Sequence, residues 1–142
     1  MAEIKAEKAG WRAELEAREC ALMEAYGFRK DIDFKSGYLD IILENIDFKV
    51  RYTIMEAIHD SAATTTKPSL VLVHGYMCGG VSGFVQWLKY LVPLYRVVLF
   101  DNCGWGLNTR LAKSGGLASP EAAESWLLDF MTKSINTLDL PA

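Results

Sequence analysis

Two glycine-punctuated segments hold the residue types from which a binding or catalytic site could be built. His74-Gly75-Tyr76-Met77-Cys78-Gly79-Gly80 follows one apolar run, and Asp101-Asn102-Cys103-Gly104-Trp105-Gly106 follows the next. In open α/β sheets ligands sit outside the carboxyl ends of parallel strands, which is where both turns would fall. Dinucleotide binding is one chemistry that such an order of elements serves: a strand, a Gly-rich turn, a helix, then a strand ending in Asp101 to hold a ribose hydroxyl. The spacing departs from that pattern. A G-x-G-x-x-G counted from Gly75 meets Met77 at its second glycine, and no P-loop lysine follows Gly79-Gly80, so a nucleotide-binding α/β domain ranks third among the readings. A serine nucleophile is no better served. Gly80-Val81-Ser82-Gly83 lacks the G-x-S-x-G pattern and places Ser82 at a helix start, where an N-cap is its expected role. Ser114-Gly115-Gly116 lies in a loop with no strand before it. Cys78 and Cys103 have no base positioned to make a thiolate, so they read as small turn residues.

The elements that must position these turns follow from periodicity. Ile4, Trp11, Leu15, Leu22 and Tyr26 recur on one side of a helix ending near Gly27, with charges elsewhere, so residues 1–30 form a leading amphipathic helix. The runs Tyr38–Leu43 and Val50–Met55, separated by Glu44-Asn45-Ile46-Asp47, read as an antiparallel strand pair. Asp60 to Pro68 is a polar surface connection beside an exposed His59. Ser69–Val73 is a continuous apolar run of the kind found in a parallel strand covered on both faces. Phe84, Val85, Leu88 and Leu91 mark the buried face of a helix that Pro93 ends. Arg96–Phe100 is the next buried strand. Ser119-Pro120-Glu121 supplies an N-cap, a first-turn proline and an acid for a last helix, whose stripe of Trp126, Leu127, Phe130, Met131, Ile135 and Leu138 is core rather than a cofactor box.

Composition bounds the function. The chain has 142 residues, 51% hydrophobic and 23% charged, with a net charge of −3. That balance gives no electrostatic footprint for nucleic acid. Three cysteines without a C-x-x-C pair, and only two histidines, signal neither a disulfide framework nor a zinc site. No metal or cofactor is expected, and a reducing, cytoplasmic compartment fits. The mixed-charge opening residues do not read as a signal peptide, and the longest greasy stretch, Val85–Phe100, is interrupted by Lys89, Pro93 and Arg96, so no membrane span is expected.

His74-Gly75 directly after one buried strand, then Asp101-x-x-Gly104-x-Gly106 after the next, resembles the α/β-hydrolase family at two upstream signature sites. The His-Gly-aromatic turn followed by glycines is similar to the lysophospholipase and lysophosphatidate-acyltransferase subgroup, which includes a lipase coactivator at lipid droplets. The resemblance spans roughly residues 11–142. It implies an α/β-hydrolase fold: the N-terminal portion of a doubly wound, mostly parallel sheet with an antiparallel N-terminal strand pair. It further implies that the His-Gly turn builds half of an oxyanion hole, with the N–H of Tyr76 as donor and Gly75, Gly79 and Gly80 curling the backbone towards substrate through positive φ. His74 itself would stabilise the loop, and Asp101 would serve turn hydrogen bonds rather than catalysis.

The family's G-x-S-x-G strand, its acid and its histidine are absent from the sequence. Residues 31–142 are therefore expected to be an incomplete hydrolase domain that ends before the nucleophile strand, inactive alone, with strand Arg96–Phe100 left as the unpaired edge. The activity implied is that of an esterase, lipase or lysophospholipid acyltransferase on acyl-ester or lysophospholipid substrates. The alternative is a non-catalytic lipid-droplet or lipase-binding protein of the same fold. Trp11, Ile4 and Leu15 would let the first helix lie peripherally on a droplet or membrane surface, but its four basic and six acidic groups favour packing against the body.

Overall fold

A computed structural model describes residues 2–43, 46–55, 67–75, 78–102, 105–108 and 120–138. The elements run α1 (Ala2–Ala25), β1 (Phe34–Leu43), β2 (Ile46–Met55), β3 (Ser69–Val73), α2 (Gly80–Leu91), β4 (Arg96–Phe100) and α3 (Pro120–Thr137). The connection before Lys67, with His59, and the candidates Tyr76, Cys103, Gly104, Ser114 and Ser119 lie outside the described residues.

The strands form one mixed sheet in the order β1-β2-β4-β3. β1 and β2 pair antiparallel from Phe34↔Met55 to Leu43↔Ile46. Each starts four residues before its expected run: in β1 from the buried Phe34, and in β2 because Phe48 continues the inward alternation of Val50, with Ile46 and Asp47 of the expected loop becoming strand residues. β4 pairs antiparallel with β2 and parallel with β3. This reverses the expected edge. β4 is interior, with Val97, Val98, Leu99 and Phe100 all at most 1% exposed, whereas β3 is half-buried and Val73 is 41% exposed. The two runs are equally apolar, so only the pairing of β4 with the hairpin separates them.

Alternation along the strands feeds two cores. One face gathers Leu39, Ile41, Phe48, Val50, Val98 and Phe100 beneath Phe130 of α3. Phe130 meets Phe48 edge-on, with centroids 6.3 Å apart at 83°. Ser134, also fully buried, faces inward one turn later. Leu127 is 41% exposed and so leaves the predicted stripe. The opposite face packs Phe34, Met55, Val97 and Leu99 against Val85 and Leu88 of α2 and Met23 of α1. α1 buries a side rotated from, but overlapping, the one its apolar spacing suggests: Cys20 and Met23 turn inward with Glu16 and Glu19 on the covered side, Leu22 of the expected stripe packs against the same core, Trp11 and Leu15 are half-buried, and Tyr26 is 47% exposed. The cause is the sheet beneath it, which presents Tyr38 and Arg51 there. α1 ends as expected at Gly27, whose φ of +89° permits a bond from Phe28 N–H to the Met23 carbonyl (3.0 Å) and one from Gly27 N–H to Glu24 (2.9 Å).

Candidate functional site

The carboxyl ends of the parallel pair β3 and β4 lie side by side, since Val73 pairs with Phe100. The residues leaving them brace each other. His74 is 3% exposed. Its Nε2 accepts the backbone N–H of Asn102 (2.7 Å), and its Nδ1 lies 2.7 Å from the Gly75 carbonyl. Accepting at Nε2 places the neutral ring's proton on Nδ1, which donates to Gly75. Both ring nitrogens are thus engaged within the loops, and neither is offered to a substrate. Asn102 returns a second bond from Nδ2 to the His74 carbonyl (2.5 Å).

Asp101 is equally committed. It is 3% exposed; Oδ1 accepts the N–H of Gly80 at the start of α2 (2.7 Å), and Oδ2 accepts the N–H of Leu107 (2.8 Å). A carboxylate at the head of α2 satisfies one of the helix's unpaired N–H groups and complements its dipole. Gly106, at φ +54°, lies against this carboxyl: a Cβ there would sit 2.1 Å from Asp101 Oδ2. The fully buried Asn108 completes the turn. Its Nδ2 donates to the carbonyl of Asp101 (2.5 Å), and its Oδ1 accepts the N–H of Arg51 on β2 (2.5 Å).

The glycines of the first turn serve a different purpose from the one expected. Gly79 has φ −113°, ψ 173°, and the positive-φ glycines among the described residues are Gly27 and Gly106. Gly79 and Gly80 are there for space. A Cβ on Gly80 would lie 2.9 Å from the carbonyl oxygen of Phe100, and one on Gly79 would lie 3.1 Å from Asp101 Oδ1. Gly75 is exposed, with open space where a Cβ would be. Ser82 is not the N-cap of α2; Gly79 takes that position and Ser82 sits at the third residue, its Oγ accepting Gly79 N–H (2.9 Å). This bond holds the hydroxyl in a capping role. Cys78 Sγ donates to the Gly75 carbonyl (3.3 Å).

A cleft of about 410 Å³ opens above the turns, with Cys78, Gly79 and Trp105 on one side and Leu15, Glu19 and Leu22 of α1 on the other. Glu19 also borders a second cavity of about 600 Å³ between α1 and the hairpin, beside Tyr38 and Arg51. Burial, reinforced by the negative charge of Asp101, pushes the Glu19 carboxyl up from 4.5 to about 7, against the pull of Arg51. Tyr38 donates its hydroxyl to Glu16 Oε1, and burial with that carboxylate drives the phenol's pKa upward. Asn102, Asn108, Glu19 and Arg51 were not singled out by sequence. Asn102 and Asn108 flank Asp101 and Gly106 and were findable as turn-bonding amides; Glu19 and Arg51 leave no local signal. Among the described residues no group of three His, Cys, Asp or Glu is placed to hold a metal ion, and no helix is long and apolar enough to cross a membrane.

No protein-family model matches the sequence, and comparison with curated proteins gives no match. Solved structures do match. A protein described as a lipase from Acinetobacter baumannii AYE superposes with a TM-score of 0.59 at 17% identity, over 89% of this chain and 34% of that one. A protein described as an epoxide hydrolase from Pseudomonas aeruginosa superposes with a TM-score of 0.50 at 22% identity, over 74% of this chain and 30% of its own. The chain therefore spans about a third of the length of the structures it resembles.

Proposed function

With the α/β-hydrolase fold as premise, we propose that this chain supplies the oxyanion side of an acyl-transfer site. The site would act on acyl esters, as in an esterase, a lipase or a lysophospholipid acyltransferase, with the nucleophile, acid and base contributed from outside residues 1–142. The observation that supports this is the cross-brace of the two strand-end turns, His74 to Asn102 and Asp101 to Gly80, beside an open cleft. Attack on an ester carbonyl develops negative charge on its oxygen. Backbone N–H donors fixed beforehand stabilise that charge without reorganising during the reaction. The N–H of Tyr76 is the assigned donor. His74 and Asp101 hold the turns and take no proton from substrate, because their polar atoms are already bonded to backbone groups.

The test compares the 142-residue chain with protein translated from the same gene to its natural stop codon. Fluorophosphonate labelling and turnover of a p-nitrophenyl acyl ester are measured on both. The expected result is no labelling of the chain alone, and labelling with turnover in the natural product at a serine outside residues 1–142. Replacing Tyr76 by proline, which removes the N–H, should then lower turnover by about 10²–10³-fold. Labelling at Ser82 would overturn the assignment. A natural product that neither labels nor turns over ester would favour the non-catalytic binding protein instead. The same reading places the protein in the cytoplasm or peripherally on lipid droplets, which cell fractionation checks.

A further inference from the structure

We infer that α1 is a proton-operated roof over the glycine-turn cleft, with Glu19 as its latch. The inference stands on placement and does not depend on the reaction proposed above. Glu19 projects from the middle of α1 into the seam between helix and sheet, its side chain 11% exposed, and it borders both the cleft and the cavity behind it. Its surroundings do not suit a negative charge. Oε2 accepts no well-formed hydrogen bond, and the facing cation, Arg51 on β2, makes only a loose ion pair with it, Nη2 to Oε2 3.6 Å. The same guanidinium also lies over the ring of Tyr38 on β1, 5.2 Å from its centroid, so its charge is shared. On the other side, Glu19 and Asp101 flank Gly79: a Cβ on that glycine would be 3.8 Å from Glu19 Oε1 and 3.1 Å from Asp101 Oδ1. Glu16 adds a third negative group from α1 itself. From α2 the neighbour is uncharged Ser82, and from the 105–108 turn it is Trp105.

An ionised Glu19 seated here is poorly solvated and faces like charge; a protonated one is neutral and can donate to an acceptor. Lifting α1 returns the carboxyl to water and to its ordinary value of 4.5. The seated helix therefore binds the proton more tightly than the lifted helix does, so by linkage acidification seats the roof and alkali loosens it. The sign is opposite to that of an ordinary surface ion pair, which acid would break. Seating would place Leu15 and Leu22 across the cleft from Cys78 and Gly79. Access to the glycine turns would then follow pH across the neutral range.

Amide hydrogen exchange on the full chain, corrected for the intrinsic pH dependence of exchange, reads the seating directly. A carboxyl moving from 4.5 to about 7 on seating gives about a tenfold rise in protection of residues 11–25 between pH 8 and pH 6, with the amides of β2 and β4 unchanged. Glu19→Gln, the neutral isostere, should hold that protection high and flat across the same range. At pH 8 it should also slow alkylation of Cys78 relative to wild type. Arg51→Met removes the cation that opposes protonation and should move the transition to higher pH. Flat wild-type protection, protection that falls on acidification, or a Gln variant that keeps the wild-type pH response would each overturn the inference. If the Gln variant does not fold, the Arg51→Met transition decides alone: a midpoint unmoved or lowered refutes the latch.

Discussion

Substituting Gly106 by alanine isolates the close contact on which the second turn depends, and Gly27 provides its control. Both glycines have positive φ, +54° and +89°. An alanine at either carries a left-handed backbone cost of about 1–2 kcal/mol. At Gly27 nothing lies within 4 Å of the new methyl, so that cost is the whole effect. At Gly106 the methyl would sit 2.1 Å from Oδ2 and 2.3 Å from Cγ of Asp101. The carboxyl must swing away, and with it go bonds from Gly80 and Leu107 at 2.7 and 2.8 Å. A hydrogen bond to a charged group contributes about 1.5–3 kcal/mol. Losing even one of them, with the backbone cost, gives about 2.5–5 kcal/mol, a large part of the ~5–15 kcal/mol that holds a typical domain folded. Urea unfolding followed by circular dichroism measures both variants. The expected order is Gly106→Ala lower than Gly27→Ala by at least about 1.5 kcal/mol, with similar m-values. In a double-mutant cycle Asp101→Ala removes the obstructed group, so Gly106→Ala should lose much less in that background. Equal losses at the two glycines, or strict additivity in the cycle, would refute the contact as the cause.

Phe130→Ala should cost about 3–5 kcal/mol, because it removes the aromatic plug that joins α3 to the sheet at Phe48; a loss under about 1 kcal/mol in thermal unfolding would mean that α3 is not docked there. Asn102→Ala deletes the Nδ2 bond to the His74 carbonyl and should lower stability by about 1–3 kcal/mol, measured by the same melts. Gly80→Ala forces a methyl to 2.9 Å from the Phe100 carbonyl oxygen, so α2 must shift off β4 at about 1–3 kcal/mol. Glu19, ionised, opposes folding above its seated value of about 7, and that opposition is relieved as pH falls towards 4.5. Urea midpoints should therefore climb from pH 8 to pH 5.5 more steeply in wild type than in Glu19→Gln, and parallel slopes would count against this.

The sequence by itself determined the alternation of elements, the two glycine turns at strand exits and the helix stop at Gly27, because each rests on neighbours within a few residues: apolar period, a left-handed glycine, a proline. It also carried the α/β-hydrolase fold through the two motifs. Only the tertiary structure decided which strand is interior. β3 and β4 are equally apolar locally, and β4 alone meets β2. Likewise the covered side of α1 was set by what lies beneath it. A helix with carboxylates at positions 16 and 19 would ordinarily turn them to water, but the hairpin offers Tyr38 and Arg51 at that place. The same holds for the glycines at 79 and 80, which avoid Asp101 and the Phe100 carbonyl rather than reaching positive φ. Excluded volume and charge at a distance in sequence are properties of the folded arrangement, and no local pattern encodes them.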